Sequence, residues 1–96
     1  MSKTIVCLDY DGTYTALPAM CEMIIEFGKK HSDDVQVILA TMRHAEEADA
    51  DLKELAKRID VHYTGREAKQ QYLAKRGIIP TMWLDDNPQW IFTNSR

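Results

Sequence analysis

The sequence has no long apolar run. Its apolar stretches stop well short of the about 18 residues a membrane-spanning helix needs. No charged-then-apolar leader opens it, so the expectation is a cytoplasmic chain. Cysteine is scarce. The two present, Cys7 and Cys21, lack metal-ligand spacing, which excludes a disulfide scaffold and a cysteine-based zinc site. Both read as reduced core residues. Basic excess is absent as well. A net charge of −3 and a pI near 5.5 argue against a general electrostatic grip on nucleic acid or anionic membrane, though a local basic pocket is compatible with them. Of the three histidines, His31 and His62 have no evident partner. No internal repeat, low-complexity tract or linker interrupts the chain.

What is present is enough apolar residue, 45% of 96, for one small core and one domain. The hydrophobic pattern alternates short buried strands with helices. Lys3 to Leu8 reads as a first strand, apolar and β-branched enough to be buried on both faces. Pro18 suits the first turn of a helix running to about Lys30, whose single polar stripe of Glu22, Glu26, Lys29 and Lys30 predicts a largely buried rod. Val35 to Ala40 is a second strand, and Ala45 to about Lys57 a second helix with acids first and bases last, as the macrodipole favours. Asp60 to Tyr63 is a third strand. Thr64 and Glu67 have capping-box spacing for a third helix, which stops at Gly77. Thr81 to Leu84 is a fourth strand. Asn87 caps, and Pro88 starts, a short turn holding Trp90, Ile91 and Phe92, and Thr93 to Arg96 is expected to fray. Such alternation predicts an α/β fold with a parallel sheet, right-handed crossovers and helices on both faces.

The polar residues of interest all follow strands. Asp9 and Asp11 follow the first, Thr41 the second, and Asp85 and Asp86 the fourth. The carboxyl edge of an open parallel sheet is where its ligand crevice lies. Two carboxylates about 4 Å apart repel by roughly 4 kcal/mol at an effective dielectric near 20, so an acid cluster there calls for a cation. Oxygen donors without His or Cys suit Mg²⁺. Lys69, on the third helix, is long enough to reach back to the same edge. Cation, lysine, the Thr41 hydroxyl and the backbone amides after Asp9 and Thr41 are the parts that hold a phosphoryl group. One carboxylate can attack as a nucleophile, and a second, two residues on, can protonate the leaving oxygen and then activate water. Tyr10 and Tyr14 are candidates for the mouth of the site. Met42, Arg43 and His44 after Thr41, and Arg66 in the first turn of the third helix, are candidates for substrate contact. Trp83 reads as core and Trp90 as a cover on the sheet edge.

In their order and at these strand ends, Asp9-x-Asp11-Gly12-Thr13, Thr41, Lys69 and Asp85-Asp86 resemble the four motifs of the haloacid dehalogenase (HAD) superfamily. The chain is similar to short HAD-like proteins of bacteria and phages that share a DYDGTYT start and a DDNP near the end. The resemblance implies a small Rossmann-like three-layer α/β/α sandwich, strand order 4-1-2-3, over residues 1–96. It implies a Mg²⁺-dependent phosphatase acting on phosphate monoesters, with Asp9 as nucleophile and metal ligand. Asp11 would be general acid/base, with its backbone carbonyl on the metal. Thr41 would bind the phosphoryl group, with Tyr10, Met42 and Arg43 as further substrate contacts. Lys69 would neutralise nucleophile and phosphate. Asp85 would bind the metal, and Asp86 would bind it directly or through water. No cap domain is present: only Tyr14 to Ala16 precede the first helix. An open site of this kind suits a phosphorylated small molecule or a macromolecular phosphoester, and invites a homodimer as lid. No membrane partner and no general nucleic-acid binding are expected. Two readings from other classes stand beside it: a phosphoryl-accepting or metal-binding regulatory module without significant turnover, and a protein-binding domain with vestigial catalysis.

Overall fold

The structure, a computed structural model, describes residues 3–95. Strands β1 (Thr4–Leu8), β2 (Val35–Thr41), β3 (Asp60–Tyr63) and β4 (Met82–Leu84) form one all-parallel sheet in the order β3-β2-β1-β4. Read from the β4 edge, this is 4-1-2-3. The register aligns Leu8 with Leu39 on one side and Leu84 on the other, and Thr41 with Tyr63. β1 therefore lies between β2 and β4, and their carboxyl ends share one edge.

Successive strand residues point to opposite faces, and each face is covered. Helix α1 (Pro18–Lys30) and helix α2 (Ala50–Leu55) cover one face. There Leu8, Val37 and Leu39 pack with Cys21, Ile25, Leu52 and Leu55. Helix α3 (Lys69–Ala74) covers the other, where Cys7, Ile38 and Ala40 meet Leu73, with Trp83 partly buried beside them. A short α4 (Gln89–Phe92) follows β4 and is anchored by buried Ile91. No helix among the described residues is long and apolar enough to cross a membrane.

Four local expectations are corrected. α1 has the expected ends, yet only Cys21, Ile25 and Gly28 are buried, while Met20, Met23 and Phe27 are exposed. A four-stranded sheet covers one stripe of the helix and no more. Along that stripe the approach is close, because a Cβ on Gly28 would stand 2.6 Å from Val37 Cγ2. The second helix is not continuous. A single tight turn, Ala45–Glu47, precedes α2, and Ala48 and Asp49 between them are extended. Asp49 leaves the helical path to cap α2, its carboxylate accepting Leu52 N–H at 2.9 Å.

The capping box at Thr64 and Glu67 does not form. Thr64 N–H instead donates to Thr41 C=O, continuing the β2–β3 pairing, and Arg66 N–H donates to Met42 C=O. Gly65 and Arg66 are both left-handed, with φ of 61° and 76°, so the helix starts later. Lys69 is its first residue, and the Ala68 N–H just before it donates to Asn94 Oδ1 at 2.7 Å. The expected fraying at Thr93 to Arg96 is replaced by this contact and by Ser95 N–H donating to Arg66 C=O at 2.7 Å. Arg96 lies outside the described residues.

Candidate functional site

β1 ends at Leu8, but Asp9 N–H still donates to Leu84 C=O at 2.9 Å. That bond fixes Asp9 at the sheet edge beside the loop after β4. A wide turn over Tyr10–Tyr14 follows, with Gly12 left-handed at φ 81°. A Cβ on Gly12 would be 2.6 Å from Asp86 Cγ, so glycine is required both for the backbone conformation and for the approach of Asp86.

Asp9, Asp85 and Asp86 converge, with one carboxylate oxygen from each lying within 4.8 Å of the others. Lys69 Nζ stands between two of them, 2.7 Å from Asp9 Oδ1 and 2.7 Å from Asp85 Oδ2. The lysine side chain is 97% buried. Its reach follows from its position, since a side chain on the first turn of α3 tilts back over the carboxyl edge. Asp85 is further oriented by Asn87 N–H, which donates to Oδ1 at 3.0 Å.

Thr13 completes the cluster. Its Oγ1 lies 3.2 Å from Asp9 Oδ2 and 3.3 Å from Asp86 Oδ1, and accepts Asp86 N–H at 3.1 Å. The hydroxyl proton thus serves one carboxylate while the oxygen holds the backbone of another. Sequence reasoning gave Thr13 no role. Its signal was its place inside the DxDGT run, but its partner is 73 residues away.

Three carboxylates face one ammonium here. Fully ionised, they leave two negative charges uncompensated, the charge of a divalent cation. Burial pushes the Asp9 carboxyl up to about 7, even though Lys69 opposes the shift, with Asp86 and Asp85 adding to it. Lys69 moves the other way for its charge: burial works against it, yet Asp9 and Asp85 together raise it above its ordinary range. A lysine within 2.7 Å of two acids stays charged, and a cation among the acids would oppose the burial that lifts Asp9 and cancel the repulsion that adds to it. The donor set is all oxygen, partly buried and short of positive charge, so it fits a hard metal ion. The neighbouring thiol of Cys7 is no competitor, since burial raises it to about 12.

A cleft of about 180 Å³ opens onto this cluster and is lined also by Asp11, Thr41, Met42 and Trp90. Thr41 is fully buried, with Oγ1 accepting Arg43 N–H at 3.2 Å. A larger groove of about 430 Å³, sharing Asp11, Met42 and Trp90, continues from it past Arg43, Glu47 and Arg66. A third depression, of about 330 Å³, lies beneath α1 at the amino end of the sheet, away from the acids.

Asp11 lines the cleft, where an acid/base expected to meet the metal only through its backbone carbonyl belongs, but its carboxylate is not free. Arg43 holds it, Nε to Oδ2 at 3.0 Å and Nη2 to Oδ1 at 2.8 Å. That carboxylate is no part of the metal-binding group, because the turn after Asp9 swings it toward β2's loop. Tyr10 is not a substrate contact through its ring. The ring is 1% exposed, packs in the core with Leu8, and donates its hydroxyl to Asp49 at 2.7 Å. Tyr10 opens the turn, and the extended Asp9 before it leaves the ring on the Leu8 face. Tyr14 stacks on it at 5.8 Å and donates to Glu22 at 2.6 Å, so neither tyrosine forms the mouth. Met42 and Arg43 do border the cleft or groove, Arg66 lines the groove, and Trp90 lies between the two.

None of the family models, curated proteins or solved structures compared with this chain matches it.

Proposed function

We propose that the protein is a Mg²⁺-dependent phosphohydrolase of the HAD type, acting on phosphate monoesters through an aspartyl phosphate on Asp9. The observation that carries this reading is the buried Lys69 ammonium bridging Asp9 and Asp85, with Asp86 and Thr13 closing the cluster. Such a group binds a phosphoryl oxygen and a nucleophilic carboxylate together. Mg²⁺ held by Asp9, Asp85 and Asp86 would neutralise charge on the phosphoryl oxygens.

In the proposed reaction an Asp9 carboxylate oxygen attacks phosphorus. The bond from phosphorus to the leaving oxygen breaks, and Asp11 delivers a proton to that oxygen. Water then attacks the phosphorus of the aspartyl phosphate and Asp11 takes its proton. Inorganic phosphate leaves and Asp9 is restored. Asp11 can act only when its oxygens part from Arg43, whose guanidinium keeps its bond to Glu47 C=O and its approach to the Asp49 carboxylate. The Thr41 hydroxyl stands at the same edge to orient the group. The substrate would be a phosphorylated small molecule or a macromolecular phosphoester. Two buried, unpaired thiols suit a reducing cytoplasm.

The test is release of phosphate from 4-nitrophenyl phosphate with and without Mg²⁺. Turnover requires the metal and is lost in Asp9→Asn. Unchanged turnover in that variant would sink the covalent mechanism. A second reading draws on the Arg43–Asp11 pair: with the acid/base clamped, the protein would accept a phosphoryl group and keep it. A long-lived acyl phosphate on Asp9 with negligible phosphate release favours that regulatory module.

A further inference from the structure

The acid cleft is small. At about 180 Å³ it falls below the roughly 300–1,000 Å³ of pockets that bury a whole organic ligand. The remainder of any monoester seated there lies outside it. The contiguous groove of about 430 Å³ is large enough, and its chemistry is specific. It contains two arginines, but neither is free. Arg43 is matched by Asp11, at 2.8 Å, and Arg66 by Glu47, at 3.1 Å. Arg66 is also committed to the backbone, donating to Met42 C=O at 2.6 Å. A second anionic group would find its cations already paired and two carboxylates facing it. Trp90, half-buried and at the junction of cleft and groove, offers a flat π surface. Met42, which also lines both, adapts to varied shapes.

From these observations, and resting on the phosphohydrolase reading above, we infer that the groove is the leaving-group subsite. Its occupant is a flat, uncharged ring carried by a phosphate monoester, stacked on Trp90. The enzyme prefers aryl or heteroaryl monoesters to alkyl phosphates and to bisphosphates. Trp90 is a specificity residue: it touches the leaving group and not the phosphorus.

Calorimetric titration of the full chain in Mg²⁺ with three non-hydrolysable probes tests this. Benzylphosphonate should bind at least about fivefold more tightly than methylphosphonate, the lower end of what one stacked ring contributes. 4-Carboxybenzylphosphonate should bind no more tightly than benzylphosphonate. Trp90→Leu should erase the preference of benzylphosphonate over methylphosphonate, and Trp90→Phe should keep it. Equal affinity for the first two probes in the unaltered protein overturns the inference, as does a preference that survives Trp90→Leu. Tighter binding of the carboxylated probe also overturns it. The unaltered protein decides the first and last of these even if a variant fails to fold. Failure of methylphosphonate itself to bind would reject the phosphoryl site, and the subsite with it.

Discussion

Arg43 and Asp11, 32 residues apart, are joined by two parallel hydrogen bonds of 3.0 and 2.8 Å. The same guanidinium donates to Glu47 C=O at 2.7 Å and lies 5.2 Å from the centre of the Tyr10 ring. It ties the loop after β1 to the loop after β2 and to the turn before α2. Arg43→Lys keeps the charge but loses the planar fork. The expected cost is about 1 kcal/mol, read as a fall of roughly 4–8 °C in Tm. A melting curve unchanged by the substitution would show that the fork does not hold these loops.

Lys69→Met leaves three acids without their ammonium. Removing one partner of a buried ion pair costs about 3–5 kcal/mol. Protonation of an acid relieves part of that repulsion, so the loss is larger at pH 8 than at pH 5. Urea unfolding at the two pH values measures both, and an equal loss at each would remove the charge argument.

Glu22 gives the fold a titration of its own. Arg58 donates to both its oxygens, at 2.8 and 2.6 Å, and Tyr14 donates as well. The Arg58 hydrogen bonds, aided by Tyr14 and opposed by burial, lower the carboxyl to about 2 from its ordinary 4.5. A depressed folded-state value means stability that is present above the ordinary value and lost as pH falls towards 2. Glu22 is one-third exposed, so solvent screening reduces the contribution to about 1 kcal/mol. The Tm gap between the unaltered protein and Glu22→Gln should be widest near pH 7 and close as pH falls from 5 to 2.

Cation binding among Asp9, Asp85 and Asp86 should stabilise the folded chain by mass action, about 2.7 kcal/mol at one hundred times the dissociation constant. Mg²⁺ therefore raises Tm, a chelator reverses this, and Asp85→Asn removes the response. Gly12→Ala should remove it too, since the new Cβ meets the Asp86 carboxylate. A Tm indifferent to Mg²⁺ in the unaltered protein would count against the metal.

The strands were legible because apolar β-branched runs stop abruptly at Asp9, Thr41 and Asp85. Parallel topology then brings those stops to one edge, so Lys69 and the three acids follow with little further information. What escaped the sequence depends on partners far along the chain. The break before α2 is made by Asp49, which answers both Leu52 beside it and Tyr10, 39 residues back. The false capping box at Thr64 has the right spacing, but pairing with Thr41 and two left-handed residues take the backbone elsewhere. Asp9 and Asp11 have the two-residue spacing of strand neighbours, yet the turn over Tyr10–Tyr14 separates them. Tyr10, by contrast, keeps the facing of Leu8 because Asp9 between them is extended.

Ser95 N–H is bonded to Arg66 C=O, and Asn94 to the residue before Lys69. Both are thereby tied to the strut that positions the ammonium. β1 begins at Thr4 on the opposite rim of the sheet, about 13 Å from its carboxyl end at roughly 3.3 Å per residue. The amino rim of the sheet is the mechanically quiet one. Tension applied at Ser95 is expected to reach the acids through Lys69.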